Sequence, residues 1–163
     1  MPIHVGLAQK ILSMMAVGKL PFEVTRARRA GARLAAVQAL YQMEQTGRSA
    51  PAIIREFMED RLGFGPEGEP VEEADPDLFR SIVEGVIDRQ DEIDAAIVAR
   101  LADGWKLSRL DTISRAILRA ACAEYFKHTE LSQAIVVDEY VSLAHDFFED
   151  GQEARFVNGV LDK

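Results

Sequence analysis

Apolar residues recur along this chain at intervals of three and four positions, the spacing that places side chains on one face of an α-helix. In the first such segment they are Leu34, Val37, Leu40 and Tyr41. The short apolar run at residues 135–137 lies inside a stretch with the same helical period, so it does not indicate a strand. The sequence therefore predicts an all-α fold.

Capping and helix-breaking residues divide the chain into six predicted helices. Thr25 is a candidate N-cap for the first helix. Asp75, followed by Pro76, opens the third helix with an acidic cap and a proline in the first turn. Ser108, with Asp111 three residues later, resembles a capping box for the fourth. The predicted helices span residues 25–46, 49–62, 75–102, 108–126, 132–148 and 152–163.

The segment at residues 63–77 is rich in glycine, proline and acidic residues, which predicts a solvated loop. A chain of 163 residues has the length of one domain, and this loop would divide a domain at residues 25–163 into two packed subdomains of about 25–75 and 76–163. Residues 1–24 are predicted to be a leader that is poorly ordered or foreign to the domain. The apolar run within it, at residues 11–17, is too short to span a bilayer, so no membrane attachment is expected.

The charge of the chain is unevenly distributed. The net charge is −8, yet residues 1–33 hold six basic groups against one acid, so the remaining 130 residues carry −13. Arg26, Arg29 and Arg33 fall at positions i, i+3 and i+7 and would line one stripe of the first helix, with Arg28 beside it. Such a chain can bind phosphate groups at one end while its acidic remainder repels other polyanions.

The residue patterns of common enzymes are not found in this sequence. Residues 63–68 match G-x-G-x-x-G, but a predicted helix precedes them and acidic residues surround them, so a nucleotide site is not expected. The three histidines pair with no serine or cysteine nucleophile and show no metal-ligand spacing. The single cysteine, Cys122, cannot form an internal disulfide, which favours a reducing cytoplasm. We therefore expect no catalytic residue, no metal and no cofactor.

Two segments resemble the NusB transcription antitermination family. Residues 33–43 read RLAAVQALYQM after the arginine cluster, and residues 155–163 read RFVNGVLDK. The segment between residues 110 and 144 also fits, so the resemblance covers about residues 26–163. It implies an all-helical fold of two packed subdomains. It further implies binding to the boxA element of ribosomal RNA leader transcripts, together with the ribosomal protein NusE, in a complex that keeps RNA polymerase elongating.

The resemblance also implies candidate RNA-binding residues. The basic first-helix region of the family corresponds to Arg28, Arg29 and Arg33, and Arg26 extends the same stripe. Phe156 corresponds to the aromatic residue of the terminal motif and would stack on a base, while Arg155 beside it would add a phosphate contact. The competing interpretations are a solvated arginine stripe and a core position for Phe156.

A second set of residues is implied for the partner protein. Tyr41, with Glu44 and Gln45 on the following turn, corresponds to the face that members offer to the ribosomal protein. Ser114 lies on the same face, at a position where many members carry an acid. Tyr41 could instead be a core residue. The residues interpreted as core alone are Val37, Leu40, Ile117, Leu118 and Val160.

Two other interpretations stay open at this point. The chain could be the RNA-binding appendage of an RNA methyltransferase, since some of these enzymes carry a domain of this type. It could also be an adaptor that binds only proteins, as a monomer or a homodimer, with its arginines buried in an interface. Salt-dependent RNA binding would separate the adaptor that binds only proteins from the two RNA-binding interpretations.

Overall fold

The computed structural model describes residues 21–64, 68–70, 73–128, 131–148 and 151–163. Within these ranges the chain forms seven α-helices and one short 3₁₀ helix, Leu107–Arg109, and the only strand-like pairing is an isolated bridge between Phe64 and Pro70. The helices are α1 (Pro21–Thr46), α2 (Ala50–Asp60), α3 (Pro76–Asp88), α4 (Gln90–Arg100), α5 (Thr112–Lys127), α6 (Gln133–Phe147) and α7 (Gln152–Leu161). The prediction of an all-α fold is confirmed.

Side-chain caps determine where several of these helices begin. Asp75 caps α3 by accepting hydrogen bonds from the backbone N–H groups of Asp77 and Leu78, as predicted. Ser132 caps α6 in the same way. The predicted capping box of Ser108 is wrong, because Asp111 itself is the N-cap of α5 and Ser108 lies in the preceding 3₁₀ helix.

The first helix begins four residues earlier than predicted. Pro21 is the first residue of the helix in the described part of the chain. Thr25 does not cap the helix, because its hydroxyl donates to the carbonyl oxygen of Pro21 one turn earlier. The predicted leader therefore overlaps α1 at residues 21–24, and residues 1–20 lie outside the described part of the chain.

The predicted third helix, residues 75–102, is in fact two helices. The backbone leaves helical geometry at Arg89 (φ −123°, ψ 27°), and α4 begins at the next residue. The seven-residue spacing from Val86 to Ile93 fits one continuous helix, so the apolar pattern concealed the break. The Arg89 guanidinium lies 5.1 Å from the centre of the Phe126 ring, which ties this corner to α5.

Helix α5 lies at the centre of the molecule and packs against α1, α3, α4, α6 and α7. Its side chains Ile117 and Leu118 are fully buried. A second layer of core lies between α2 and α3, where the rings of Phe57 and Phe79 stack with centroids 5.5 Å apart. The five residues predicted to be core alone (Val37, Leu40, Ile117, Leu118 and Val160) are all buried, whereas Tyr125 near the end of α5 is 39% exposed.

Helix α1 approaches the start of α3 closely. A Cβ atom on Gly31 would lie 3.3 Å from the Cβ of Ala74, so the smallest side chain fits best at this contact. Asp75 donates its backbone N–H to the carbonyl oxygen of Arg28, which fixes the same contact. The end of the acidic loop is therefore held against α1. No described helix is long and apolar enough to cross a membrane.

Candidate nucleic-acid interface

The four arginines predicted to contact RNA from α1 have different environments. Arg26 is well exposed, and its Nε lies 3.7 Å from Glu139 Oε1. Arg29 is exposed and forms no ion pair with any described residue. Arg28 is half-buried and donates from Nε to the carbonyl oxygen of Glu73 over 2.8 Å. The N-terminal half of α1 thus presents two exposed guanidinium groups and a third that is tethered to the acidic loop.

The prediction that Arg33 belongs to the RNA-binding arginine stripe is wrong, because Arg33 lies in the interior and is 6% exposed. Its Nε and Nη2 atoms donate to the two carboxylate oxygens of Glu124 over 2.9 and 2.8 Å. Tyr140 donates its hydroxyl to the same carboxylate over 2.8 Å, and Glu139 lies 3.5 Å from Arg33 Nη1. A guanidinium group saturated in this way does not reach an RNA backbone.

The ionisation states of Arg33 and Tyr140, which share the Glu124 carboxylate, follow from their contacts. Burial alone would lower the pKa of Arg33, but the hydrogen bonds and the negative charge of Glu124 outweigh it, so the pKa is raised. Burial and the adjacent Glu124 carboxylate raise the pKa of Tyr140 well above its usual value. The cluster therefore holds a charged arginine and a neutral tyrosine.

Arg155 and Phe156 are both exposed on α7, and Phe156 keeps 36% of its surface accessible. Their neighbours Val157 and Val160 face the core, so the aromatic ring of Phe156 lies outside it. Helix α6 packs against both α1 and α7, and its Glu139 contacts the arginines of α1. The two predicted RNA-binding segments are thus connected through α6.

The predicted partner-binding residues separate into two environments. Tyr41 is 39% exposed and Gln45 is exposed, and both line a groove of about 510 Å³. Ile113 at the start of α5 and Phe147 at the end of α6 complete its apolar wall. Neither Ile113 nor Phe147 was predicted as a site residue, because both fit the core-facing positions of their helices.

Of the two other predicted partner residues, the structure contradicts Ser114 and leaves Glu44 exposed. Ser114 is 2% exposed, because it lies on the face of α5 that turns inward. Glu44 pairs with Arg115 and lies 3.8 Å from Arg119, so its carboxylate is engaged within the protein. Arg119 also donates two hydrogen bonds to Asp94, which extends the network to α4.

The structure offers little for catalysis or metal binding in the part of the chain that it describes. No group of three or more histidine, cysteine, aspartate or glutamate residues could hold a metal ion among the described residues. Burial raises the pKa of the Cys122 thiol from 9.0 to about 11, which leaves it a poor nucleophile at neutral pH.

A sequence model described as the NusB family matches residues 30–163 of this chain. The chain belongs to the NusB family. One relative, the transcription antitermination protein NusB of Hyphomonas neptunium, is 68% identical over 143 residues, which is 88% of this chain and 92% of the relative. The resemblance inferred from residues 33–43 and 155–163 is therefore confirmed.

Solved structures extend the NusB match to the fold. A chain in the crystal structure of the antitermination factors NusB and NusE in complex with dsRNA superimposes with a TM-score of 0.68 and 24% identity, over 83% of this chain and 94% of that chain. A chain in the crystal structure of a plectonemic RNA supercoil gives a TM-score of 0.67 and 26% identity, over 83% of this chain and 91% of that chain. The NusB-type fold predicted from the sequence is thus confirmed.

Proposed function

We propose that this NusB-family protein is a transcription antitermination factor that binds boxA-type single-stranded RNA of ribosomal RNA leader transcripts. It acts with the ribosomal protein NusE within an RNA polymerase elongation complex. The observation that carries this proposal is the pair of exposed arginines, Arg26 and Arg29, at the start of α1 in a chain whose net charge is −8.

The RNA-binding surface consists of Arg26, Arg28 and Arg29 on α1 with Arg155 and Phe156 on α7. Proteins bind single-stranded RNA by placing basic groups on phosphates and aromatic rings against unstacked bases. The exposed ring of Phe156 provides such a stacking platform, and Arg155 lies next to it. Arg33 supports this surface from inside by holding α1 against α5 and does not belong to it.

The groove beside Tyr41 is the proposed NusE site. Its wall combines the amphipathic ring of Tyr41 with the apolar side chains of Ile113 and Phe147, and Gln45 supplies a polar edge. Interfaces are typically enriched in aromatic side chains at their centre and polar at their rim. Ser114 and Glu44 shape this region through burial and ion pairing.

The protein acts by binding and performs no chemical reaction. The single thiol is half-buried and weakly acidic, and the interior carboxylate of Glu124 is saturated with hydrogen bonds from Arg33 and Tyr140. Family membership and the single, unpaired cysteine favour the cytoplasm, where transcription takes place.

Fluorescence anisotropy of a labelled boxA-type RNA, with and without NusE, tests the proposal. We expect tighter binding to boxA than to a scrambled RNA, and still tighter binding with NusE present. Arg26→Ala/Arg29→Ala should weaken it by about tenfold or more. Arg80→Ala is the matched control, because Arg80 is an exposed arginine on α3 paired with Glu84 and lies outside the proposed surface. Equal affinity for boxA and scrambled RNA in the presence of NusE would refute the proposal.

A further inference from the structure

A cavity of about 340 Å³ opens next to Arg29, between the first half of α1, the start of α3 and the end of α5. The buried ion pair of Arg33 and Glu124 forms its floor. Glu124 already accepts hydrogen bonds from Arg33 and Tyr140, so the floor is polar but internally satisfied. The volume is much larger than the roughly 30 Å³ of a water molecule and falls within the range of ligand pockets.

Positive groups stand at the mouth of this cavity. Arg29 on α1 and Lys127 at the end of α5 are both exposed, and neither forms an ion pair with a described residue. Arg29 also belongs to the proposed RNA surface, so the cavity is continuous with that surface. These two cations at the rim would attract the phosphates of a strand that passes over the opening.

The interior of the cavity is unsuitable for a phosphate. The amide groups at the start of α3, which could bind an anion, already donate to the Asp75 carboxylate over 3.1 Å. Asp77 adds a second negative charge on the same side. The remaining wall holds the half-buried side chains of Leu78, Leu131 and His128 and the hydroxyl of Ser81. This lining fits an uncharged, flat group that donates hydrogen bonds.

We propose that the cavity holds one nucleobase of the bound RNA, turned out of the strand, and that this base carries an exocyclic amino group. Its amino group donates to the carboxylate of Asp77, its faces contact Leu78 and Leu131, and the flanking phosphates pair with Arg29 and Lys127. Aspartate accepts hydrogen bonds from base amino groups, and single-stranded RNA is read through such unstacked bases. The inference rests on the proposed RNA-binding function and specifies how the RNA is read.

An abasic scan of the RNA, combined with cavity variants, tests this inference. One labelled boxA-type RNA is made for each position that lacks its base, and binding is measured by anisotropy with NusE present. We expect a single amino-bearing position at which loss of the base weakens binding by about tenfold. Ser81→Leu, which fills the cavity, and Asp77→Asn, which alters its acceptor, should each weaken binding of the intact RNA. Neither should weaken binding further when that base is already missing.

The controls separate this inference from the proposed function. Arg80→Ala on α3 should leave the abasic profile unchanged, because Arg80 lines a different groove, and far-UV circular dichroism establishes that each variant is folded. Asp77 is exposed, so Asp77→Asn keeps the test valid even where Ser81→Leu fails to fold. The protein could prefer boxA RNA while Asp77→Asn weakens binding equally at every abasic position. That result would overturn the base pocket and leave the proposed function standing. Absence of boxA preference even with NusE would overturn the proposed function as well.

Discussion

Arg33 and Glu124 are separated by 91 positions in the sequence, and two hydrogen bonds of 2.9 and 2.8 Å join them across the interior. The pair connects α1 to the central helix α5, and Tyr140 adds α6 by donating to the same carboxylate. Three helices thus meet at one buried carboxylate. A buried pair of this kind strongly destabilises a protein when one partner alone is removed, because the other charge is left uncompensated.

Neutralising Glu124 should therefore destabilise the fold. We expect Glu124→Gln to lower the free energy of unfolding by about 3–5 kcal/mol, measured by urea denaturation. The exposed ion pair of Arg80 and Glu84 provides the comparison, and Glu84→Gln should change stability by no more than about 0.5 kcal/mol. The double variant Arg33→Met/Glu124→Leu should be more stable than Glu124→Leu alone, since it leaves no unpaired charge. Equal losses for Glu124→Gln and Glu84→Gln would contradict this role of the buried pair.

The thiol of Cys122 should react slowly in the native protein. Burial raises its pKa from 9.0 to about 11, so the reactive thiolate is about a hundredfold rarer at pH 8 than in the unfolded chain. Alkylation by iodoacetamide, followed by mass spectrometry, should accelerate by at least that factor in urea. The chain holds one cysteine, so any alkylation of a thiol detected by mass spectrometry is alkylation of Cys122. Comparable rates with and without urea would contradict the burial of the thiol.

The same shift predicts a loss of stability at high pH. The folded state binds the thiol proton more tightly than the unfolded state, so this contribution is complete below about pH 9 and is lost as the pH rises towards 11. Tyr140, whose pKa is raised well above 10.0, adds a loss in the same direction at still higher pH. Thermal unfolding followed by circular dichroism should show a falling melting temperature above pH 9. In Cys122→Ala the decline that begins near pH 9 should be smaller.

The two predicted partner residues Tyr41 and Ser114 should behave differently on substitution. Tyr41 lines the open groove, so Tyr41→Ala should weaken NusE binding by about tenfold in calorimetric titrations. Ser114 is buried, so Ser114→Ala should leave the affinity within about twofold of the wild type. A larger effect from Ser114→Ala than from Tyr41→Ala would place NusE elsewhere.

The salt dependence of RNA binding should decrease when the two exposed arginines of α1 are removed. Removing Arg26 and Arg29 together should reduce the slope of log affinity against log salt by roughly 0.7 for each phosphate that the protein no longer neutralises. The matched variant Arg80→Ala should leave the slope unchanged. An unchanged slope in Arg26→Ala/Arg29→Ala would show that these side chains do not bind phosphate.

The sequence predicted the features of this fold that depend on nearby residues. Helical spacing identified the buried positions Ile117 and Val160, and the Asp75–Pro76 pair located the start of α3. In each case the cause lies within a few residues of the effect. The same holds for the family motif at residues 155–163, which is contiguous in the chain.

The features that were missed depend on residues distant in sequence. Arg33 belongs to an arginine stripe by spacing, and only the position of Glu124 on a distant helix makes it interior. The break at Arg89 lacks a glycine or proline, so no local signal marks it. Lys127 resembles an ordinary basic residue in the last turn of a helix, and its place at the cavity depends on how α1 and α5 pack.

The burial of Arg33 also shortens the track of positive charge that α1 offers to a ligand. Arg26 and Arg29 are three residues apart, which is about 4.5 Å along the helix axis. One turn later the positive charge has turned inward towards Glu124. A polynucleotide that pairs with both exposed guanidinium groups would therefore meet no further exposed positive charge along α1 and would have to continue onto a neighbouring helix.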